Sequence, residues 1–234
     1  MSALPPQDAP ETPAHLLHRS IANLRKTSAL HGVMLGLFAL VTALVLSLVH
    51  DLTARPISER ISEDLYATLA QVIPPTRHNN DLAADPFLLT DAKEGEVLVY
   101  RARRDAAVTA VAFKMNSVGY AGRIQVLLGV DRAGELLGVR VLSHRETPGL
   151  GDKIEVEKSD WILQFNGMSL GKPETSRWKV RKDGGEIDQF SGATITPRAT
   201  VEAIRRGLEF FARNEAALLD PSVGSQAFVE EAGS

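Results

Sequence analysis

The chain has 234 residues, 44% of them hydrophobic and 24% charged, with a formal net charge of -3. That length suits one sizeable core plus appendages, and 26 Lys and Arg against 29 Asp and Glu exclude the basic excess of a nucleic-acid binder. With no cysteine, disulfides, thiolate zinc sites, iron–sulfur clusters and CxxCH haem attachment are excluded, so any electron chemistry must use an organic cofactor.

Residues 1–28 read as a cytoplasmic tail, beginning with the proline-rich MSALPPQDAPETP, which has no apolar period. Residues 29–49, ALHGVMLGLFALVTALVLSLV, contain no Asp, Glu, Lys or Arg. As a helix rising about 1.5 Å per residue, such a run spans roughly the 30 Å hydrocarbon core of a bilayer. A buried soluble helix normally keeps a polar stripe. A cleaved signal peptide has an apolar region of roughly 7–15 residues followed by a small-residue site. Neither pattern is present, which leaves a retained single-pass anchor. Arg19, Arg25 and Lys26 crowd its N-terminal side, whereas Asp51 and Arg55 follow it. The positive-inside rule then puts the N-terminus in the cytoplasm and the bulk of the chain outside, which for a bacterial inner membrane is the periplasm.

Residues 50–85 are predicted to form a membrane-proximal stalk and loop. Ile57, Ile61, Leu65, Leu69 and Val72 recur at helical spacing between Pro56 and Pro74-Pro75, and a loop rich in Asn, Asp and Pro follows from His78 to Pro86. Residues 86–215 carry the main domain. Strands are expected at Val97–Ala102, Ala107–Phe113, Ile124–Val130 and Leu136–Leu142, the last two joined by a hairpin connection ending in Gly134. A short helix around Glu157–Phe165 and a strand at Arg177–Arg181 come next, before the loop Asp183-Gly184-Gly185. A helix from Pro197 to about Asn214 closes the domain, with Val201, Ile204, Leu208 and Phe211 on its buried face. Residues 216–234 read as a C-terminal tail. This order predicts an α+β fold with a largely antiparallel sheet and flanking helices behind a single N-terminal transmembrane helix.

Several chemistries are missing their motifs. Gly167 to Lys172 has the wrong glycine spacing for a phosphate loop and Pro173 where Ser or Thr is required, and neither GxGxxG nor HExxH occurs. His144 and Glu146 offer at most half a metal site, so no metal is predicted. Two loops remain. His144-Arg-Glu-Thr-Pro-Gly-Leu-Gly-Asp-Lys153 follows a strand; Pro148-Gly149 favours a tight turn, and Gly149 and Gly151 permit close backbone approach to a ligand. Asp188-Gln-Phe-Ser-Gly-Ala-Thr-Ile-Thr-Pro197 sets the small residues Ser191, Gly192 and Ala193 beside the hydroxyl of Thr194. Thr196 suits the N-cap of the final helix and Pro197 its first position, leaving backbone N–H groups that favour an anion, with Arg198 as a candidate extra charge. An ordinary capped turn accounts for Thr196 and Pro197, but not for four small residues beside an upstream acid.

Asp188-x-x-Ser191-Gly192-Ala193-Thr194 matches the signature of proteins that carry FMN on a threonine through a phosphodiester bond. With HxETPGLGxK at His144–Lys153 and Gly119-Tyr120-Ala121-Gly122, the chain resembles the G subunits of Rnf ion-translocating electron transport complexes, and is similar to the C subunits of sodium-pumping NADH:quinone oxidoreductases. The resemblance spans nearly the whole chain except its proline-rich start. It implies a membrane-anchored, periplasm-facing flavoprotein subunit of a complex that couples electron transfer between NADH and ferredoxin to ion translocation. It also implies covalent FMN on Thr194, installed by a separate flavin transferase, and other Rnf subunits as partners. Cofactor contacts are implied at Asp188, Ser191, Gly192 and Ala193, and at Glu146, Thr147, Gly149, Leu150 and Gly151. Such a subunit relays electrons but is not catalytic alone. An anchored non-redox scaffold or ligand-binding module is the alternative, and it would retain no flavin on denaturation.

Overall fold

The structure, a computed structural model, describes residues 31–50, 64–84 and 86–223. The chain divides after Arg60 into two compact units. In the first, His31–His50 is a 20-residue helix with none of its apolar window buried in the protein. Leu35 and Phe38 keep 75% and 74% of their surface exposed, which water disfavours and lipid does not. The Thr42 hydroxyl donates to the Phe38 carbonyl at 2.8 Å, so it needs no outside partner. Among the described residues it is the one helix long and apolar enough to cross a membrane. The flanking charges that set its orientation, and Pro56, Ile57 and Ile61 of the expected stalk, lie outside the described residues.

The second unit is built on a five-stranded antiparallel sheet in sequential order: β1 (Phe87–Asp91), β2 (Gly95–Arg104), β3 (Ala107–Val118), β4 (Arg123–Asp131) and β5 (Leu136–Ser143). Alternation sorts its side chains. Val111, Phe113 and Met115 of β3 and Val126, Leu128 and Val130 of β4 face one core, while Ala110, Ala112 and Leu127 face another. The helix Ile195–Leu219 covers the first face, with Val201, Ile204, Leu208 and Phe211 buried as expected. It lies close because Gly207 has no side chain: a Cβ there would come within 2.5 Å of Leu128 Cδ2. Phe210 meets Phe113 edge to face at 5.0 Å.

Small residues shape the second face. Ala102, Ala110 and Ala112 make it shallow, and helical residues 64–72 with Ile73 pack Leu69, Val72 and Ile73 against it. At Gly129 a Cβ would sit 2.2 Å from the Val72 carbonyl oxygen, so only glycine admits this backbone contact. Asn80 then stitches the following loop to β2, donating to the Arg101 carbonyl and accepting from the Arg103 N–H.

Four expectations need correction. Phe87–Asp91 is an edge strand, missed because its five residues follow directly on a loop rich in turn formers. The helix at Glu157–Phe165 is a 3₁₀ segment confined to Asp160–Phe165. Arg177–Arg181 is no strand: 3₁₀ turns occupy Thr175–Arg177 and Arg181–Asp183, and only a parallel bridge from Val180 to Ile187 remains. Gly185 sits so tightly there that a Cβ would meet the Lys179 carbonyl oxygen at 1.8 Å. Finally, the last helix runs from Ile195 to Leu219, beyond Asn214, because Leu218 is still buried and Arg101 caps its end. The Arg101 guanidinium donates to the carbonyls of Leu218 and Ala217 and lies 3.7 Å from the centre of the Phe87 ring.

Asp91 ties the edge strand to this helix. Its buried carboxylate accepts from Arg213 and Asn214 and from the N–H groups of Lys93 and Glu94. The Arg213 hydrogen bond, reinforced by Asn214 and the two amides, holds its carboxyl well below the ordinary 3.8 despite the opposing effect of burial. A lowered native pKa means that this stabilisation is complete above about pH 4 and lost as pH falls through the native value. Asp91→Asn is expected to cost about 1.5–3 kcal/mol at pH 7. That deficit shrinks at pH values below 4, as thermal melts of both proteins across pH will show.

Candidate functional site

Three loops meet at one end of the sheet. The first joins β3 to β4, where the Gly119 N–H donates to the Gly122 carbonyl at 2.7 Å. The second leaves β5 at His144 and turns at Thr147, whose carbonyl accepts from the N–H groups of Leu150 and Gly151 at 3.1 and 3.0 Å. Gly149, at φ +78°, takes the left-handed conformation this turn requires. The third runs from Asp188 into the final helix, with Gly192 at φ +87° and a bridge between Phe190 and Ala193. Phe190 is pinned by Trp161, edge to face at 5.0 Å, and Trp161 Nε1 donates to the Asp188 carbonyl at 2.7 Å.

Glu146 joins the first two loops to the helix. It is only 4% exposed, and its carboxylate accepts from the Tyr120 N–H at 3.2 Å, the Ala121 N–H at 3.0 Å and the Thr196 hydroxyl. Two glycines make room for it. A Cβ on Gly119 would stand 2.5 Å from Glu146 Oε1, and one on Gly151 would stand 2.8 Å from Glu146 Cβ and 2.9 Å from Thr196 Oγ1. Gly151 has an ordinary φ of −88°, so its need for glycine is steric alone. The close approach expected of Gly151 is therefore to Glu146 and Thr196.

Between the loops lies a cleft of about 270 Å³. Tyr120, Leu150 and Ile195 give it apolar walls, exposed by 72%, 45% and 47% respectively. Glu146, Thr147, Gly151, Gly192, Ala193, Thr194 and Thr196 complete the lining. Of the predicted site residues, the fold thus gathers Glu146, Thr147, Leu150, Gly151, Gly192, Ala193 and Thr194. It leaves Gly149, Ser191 and Asp188 outside the lining. Ser191 is exposed in the turn, and Asp188 pairs with Arg181 at 2.9 Å, both side chains more than half exposed.

The helix start differs from expectation by two residues. Thr194, not Thr196, is the N-cap, and Pro197 stands at the third helical position, where no intrahelical N–H bond is required. Thr194 sits at φ −84°, ψ −27°, makes no capping hydrogen bond with its side chain, and is half-buried. The N–H groups of Ile195 and Thr196 begin the helix beside it, at the positive end of a 25-residue dipole. Thr196 is turned inward to Glu146 and its carbonyl accepts from Thr200 Oγ1 at 2.9 Å. Arg198 adds no charge to the cleft, since its Nε and Nη2 donate to the two carboxylate oxygens of Asp183, each at 2.5 Å.

Sequence reasoning missed Tyr120 and Ile195 as walls of the cleft and Thr196 as a partner of Glu146. An aromatic flanked by glycines, in a loop that the resemblance had already singled out, was the available signal for Tyr120. His144 takes a hydrogen-bonding role: its Nε2 lies 2.7 Å from Glu155 Oε1 and its Nδ1 accepts from the Glu146 N–H at 3.0 Å. Among the described residues, no three His, Cys, Asp or Glu side chains gather as a metal site.

The residues suit a flavin mononucleotide. Apolar walls suit its ring, a bare backbone at Gly192 allows close approach, and the helix start favours its phosphate. Known proteins agree. Residues 119–209, which contain all three loops, match the FMN-binding domain family, and residues 22–72 match the RnfG N-terminal region. The chain is 58% identical over 190 residues to the G subunit of the ion-translocating oxidoreductase complex of Cereibacter sphaeroides, covering 81% of this chain and 87% of that one. It is 47% identical over 193 residues to the G subunit from Stutzerimonas stutzeri, covering 82% and 85%. The crystal structure of Shewanella oneidensis NqrC is also similar, with a TM-score of 0.44 and 21% identity over 63% of this chain and 71% of that one. On relatives this similar along four-fifths of its length, the chain belongs to the family of G subunits of ion-translocating oxidoreductase complexes and is a flavoprotein subunit of the Rnf type.

Proposed function

We propose that this chain carries FMN on Thr194 through a phosphodiester bond and relays electrons on the periplasmic side of an Rnf-type complex, which couples electron transfer between NADH and ferredoxin to ion translocation. The observation that carries the reading is the setting of Thr194. Its hydroxyl is not engaged as a cap, it lines the cleft where all three loops meet, and it stands at the start of a long helix. In loading, its Oγ attacks the flavin-side phosphorus of FAD, delivered by a flavin transferase. The Oγ–P bond forms, the diphosphate bond breaks, the hydroxyl proton is released and AMP leaves. The small residues Ser191, Gly192 and Ala193 give the transferase access to that hydroxyl. Asp188 lies outside the cleft, paired with Arg181.

When bound, FMN supplies the redox chemistry, and the protein supplies position and electrostatics. Tyr120, Leu150 and Ile195 hold the ring and exclude water, and the N–H groups of Ile195 and Thr196 neutralise the phosphate ester. A covalent tether keeps the cofactor where free FMN is scarce, since occupancy no longer depends on concentration. The relay is not catalytic alone: without cysteine it ligates no iron–sulfur cluster, and a span without intramembrane charges makes a poor ion path. NADH, ferredoxin and ion sites belong to the other subunits. The apolar helix His31–His50 anchors it in the inner membrane, N-terminus inward.

The test is intact-mass analysis with denaturing in-gel fluorescence on protein co-expressed with a flavin transferase. One FMN less one water is expected, mapping to the peptide that contains Thr194. A reporter fused after residue 51 should be active only when exported. Flavin lost on denaturation would overturn the covalent attachment, and a cytoplasmic reporter signal would overturn the orientation.

A further inference from the structure

Besides tying three loops together, Glu146 places a charge in the wall of the cleft. It is a buried carboxylate, 4% exposed, in the wall of the cleft. Its hydrogen-bond donors are all neutral, two backbone N–H groups and the Thr196 hydroxyl. Three donors directed at two oxygens are the setting of an ionised carboxylate. Neighbouring basic side chains are turned elsewhere: Arg198 is bound to Asp183, and Arg145 is exposed with its stem over Gly122. An amide would set its NH2 against one of these donors, so the junction takes an acid, and with it a buried charge, which is costly when no cation offsets it.

We infer that Glu146 sets the redox poise of the cleft, its buried negative charge lowering the reduction potential of the FMN held there. This rests on the proposal that FMN is bound at Thr194. The physical basis is Coulombic. When FMN takes two electrons from a reductant and one proton from water, it gains net negative charge, and a fixed negative charge in the same low-dielectric wall opposes that gain. The Thr196 hydroxyl and the amides of Tyr120 and Ala121 hold the carboxylate in place and partly offset its field. Removing the charge therefore raises the potential, whereas removing one donor while keeping the charge lowers it. A merely structural role predicts no such opposition of sign, because both changes loosen the same junction.

The experiment is a reductive titration of the full-length, flavinylated protein in detergent, with dithionite as reductant and redox mediators present. Glu146→Gln is expected to bind the electron pair at least tenfold more tightly, an upward shift of about 30 mV or more for a two-electron couple. Thr196→Val is expected to shift downward. A loaded Glu146→Gln protein whose potential is unmoved or lowered overturns the inference. If that variant does not fold or load, Thr196→Val decides: a lower potential supports the charge role, and an unchanged or higher one overturns it. Wild-type protein without covalent FMN would overturn the Thr194 attachment and this inference with it, whereas loaded protein with unmoved potentials overturns this inference alone.

Discussion

Thr194→Ala is expected to abolish covalent flavin completely while leaving the protein folded. Replacing a helix-capping threonine by alanine usually costs about 0.5–2 kcal/mol, because the cap satisfies a helix N–H. Here the Thr194 side chain makes no capping bond, so the change should stay within about 0.5 kcal/mol, the range of an uninvolved surface site. Loss of flavin at the melting temperature of the unloaded wild-type protein is therefore the expected signature, read by intact mass and thermal denaturation. Thr194→Ser keeps a hydroxyl at the same helix start and should still be loaded. Thr196 offers no second acceptor, since it is 1% exposed and donates its hydroxyl to Glu146. Flavin retained covalently by Thr194→Ala would move the attachment to Ser191, the exposed hydroxyl in the same turn.

Gly151→Val is expected to do the greatest damage to the cleft, and Gly149→Val, two residues earlier, much less. A Cβ at 151 meets Glu146 Cβ at 2.8 Å and Thr196 Oγ1 at 2.9 Å, both buried and with nowhere to move. Displacing them strains the packing and breaks hydrogen bonds of a buried carboxylate, together roughly 2–4 kcal/mol. At 149 nothing lies within 4 Å of an added Cβ, and the penalty comes from φ +78° alone. That backbone strain is worth about 1–2 kcal/mol, and Gly149→Asn, which tolerates the left-handed region, should recover most of it. Gly151→Val should therefore shift the flavin absorption as well as the melting temperature, while Gly149→Val shifts only the latter. Equal effects at the two positions, or a spectral shift confined to Gly149→Val, would show that the cleft is not organised around Glu146.

The strands β2 to β5 were legible because Val and Ile alternate or run together between turn residues, a pattern that survives without knowledge of the partner strand. β1 was not, because Phe87–Asp91 gains its identity from pairing with β2 and from Asp91 reaching Arg213, more than a hundred positions away. Arg177–Arg181 failed in the opposite direction. Its local composition suits a strand, but its backbone bonds to short turns and to residues 185–187 rather than to the sheet, with Gly185 pressed against Lys179.

The sequence by itself determined the apolar span, the buried stripe of the last helix, and the two loops that carry the site, since each depends on spacing or on residue types close together in the chain. Only the tertiary structure decided which residues of those loops share a cleft. It brought Tyr120 and Ile195 in and left Asp188 and Ser191 out. It also moved the helix start to Ile195, so that Thr194 rather than Thr196 stands at the cap with its hydroxyl uncommitted. Glu146 shows the physical reason. Its bonds to Tyr120, Ala121 and Thr196 join positions 26, 25 and 50 apart in the chain. A buried carboxylate takes its donors from whichever backbone the fold brings within reach, and no local pattern records that choice.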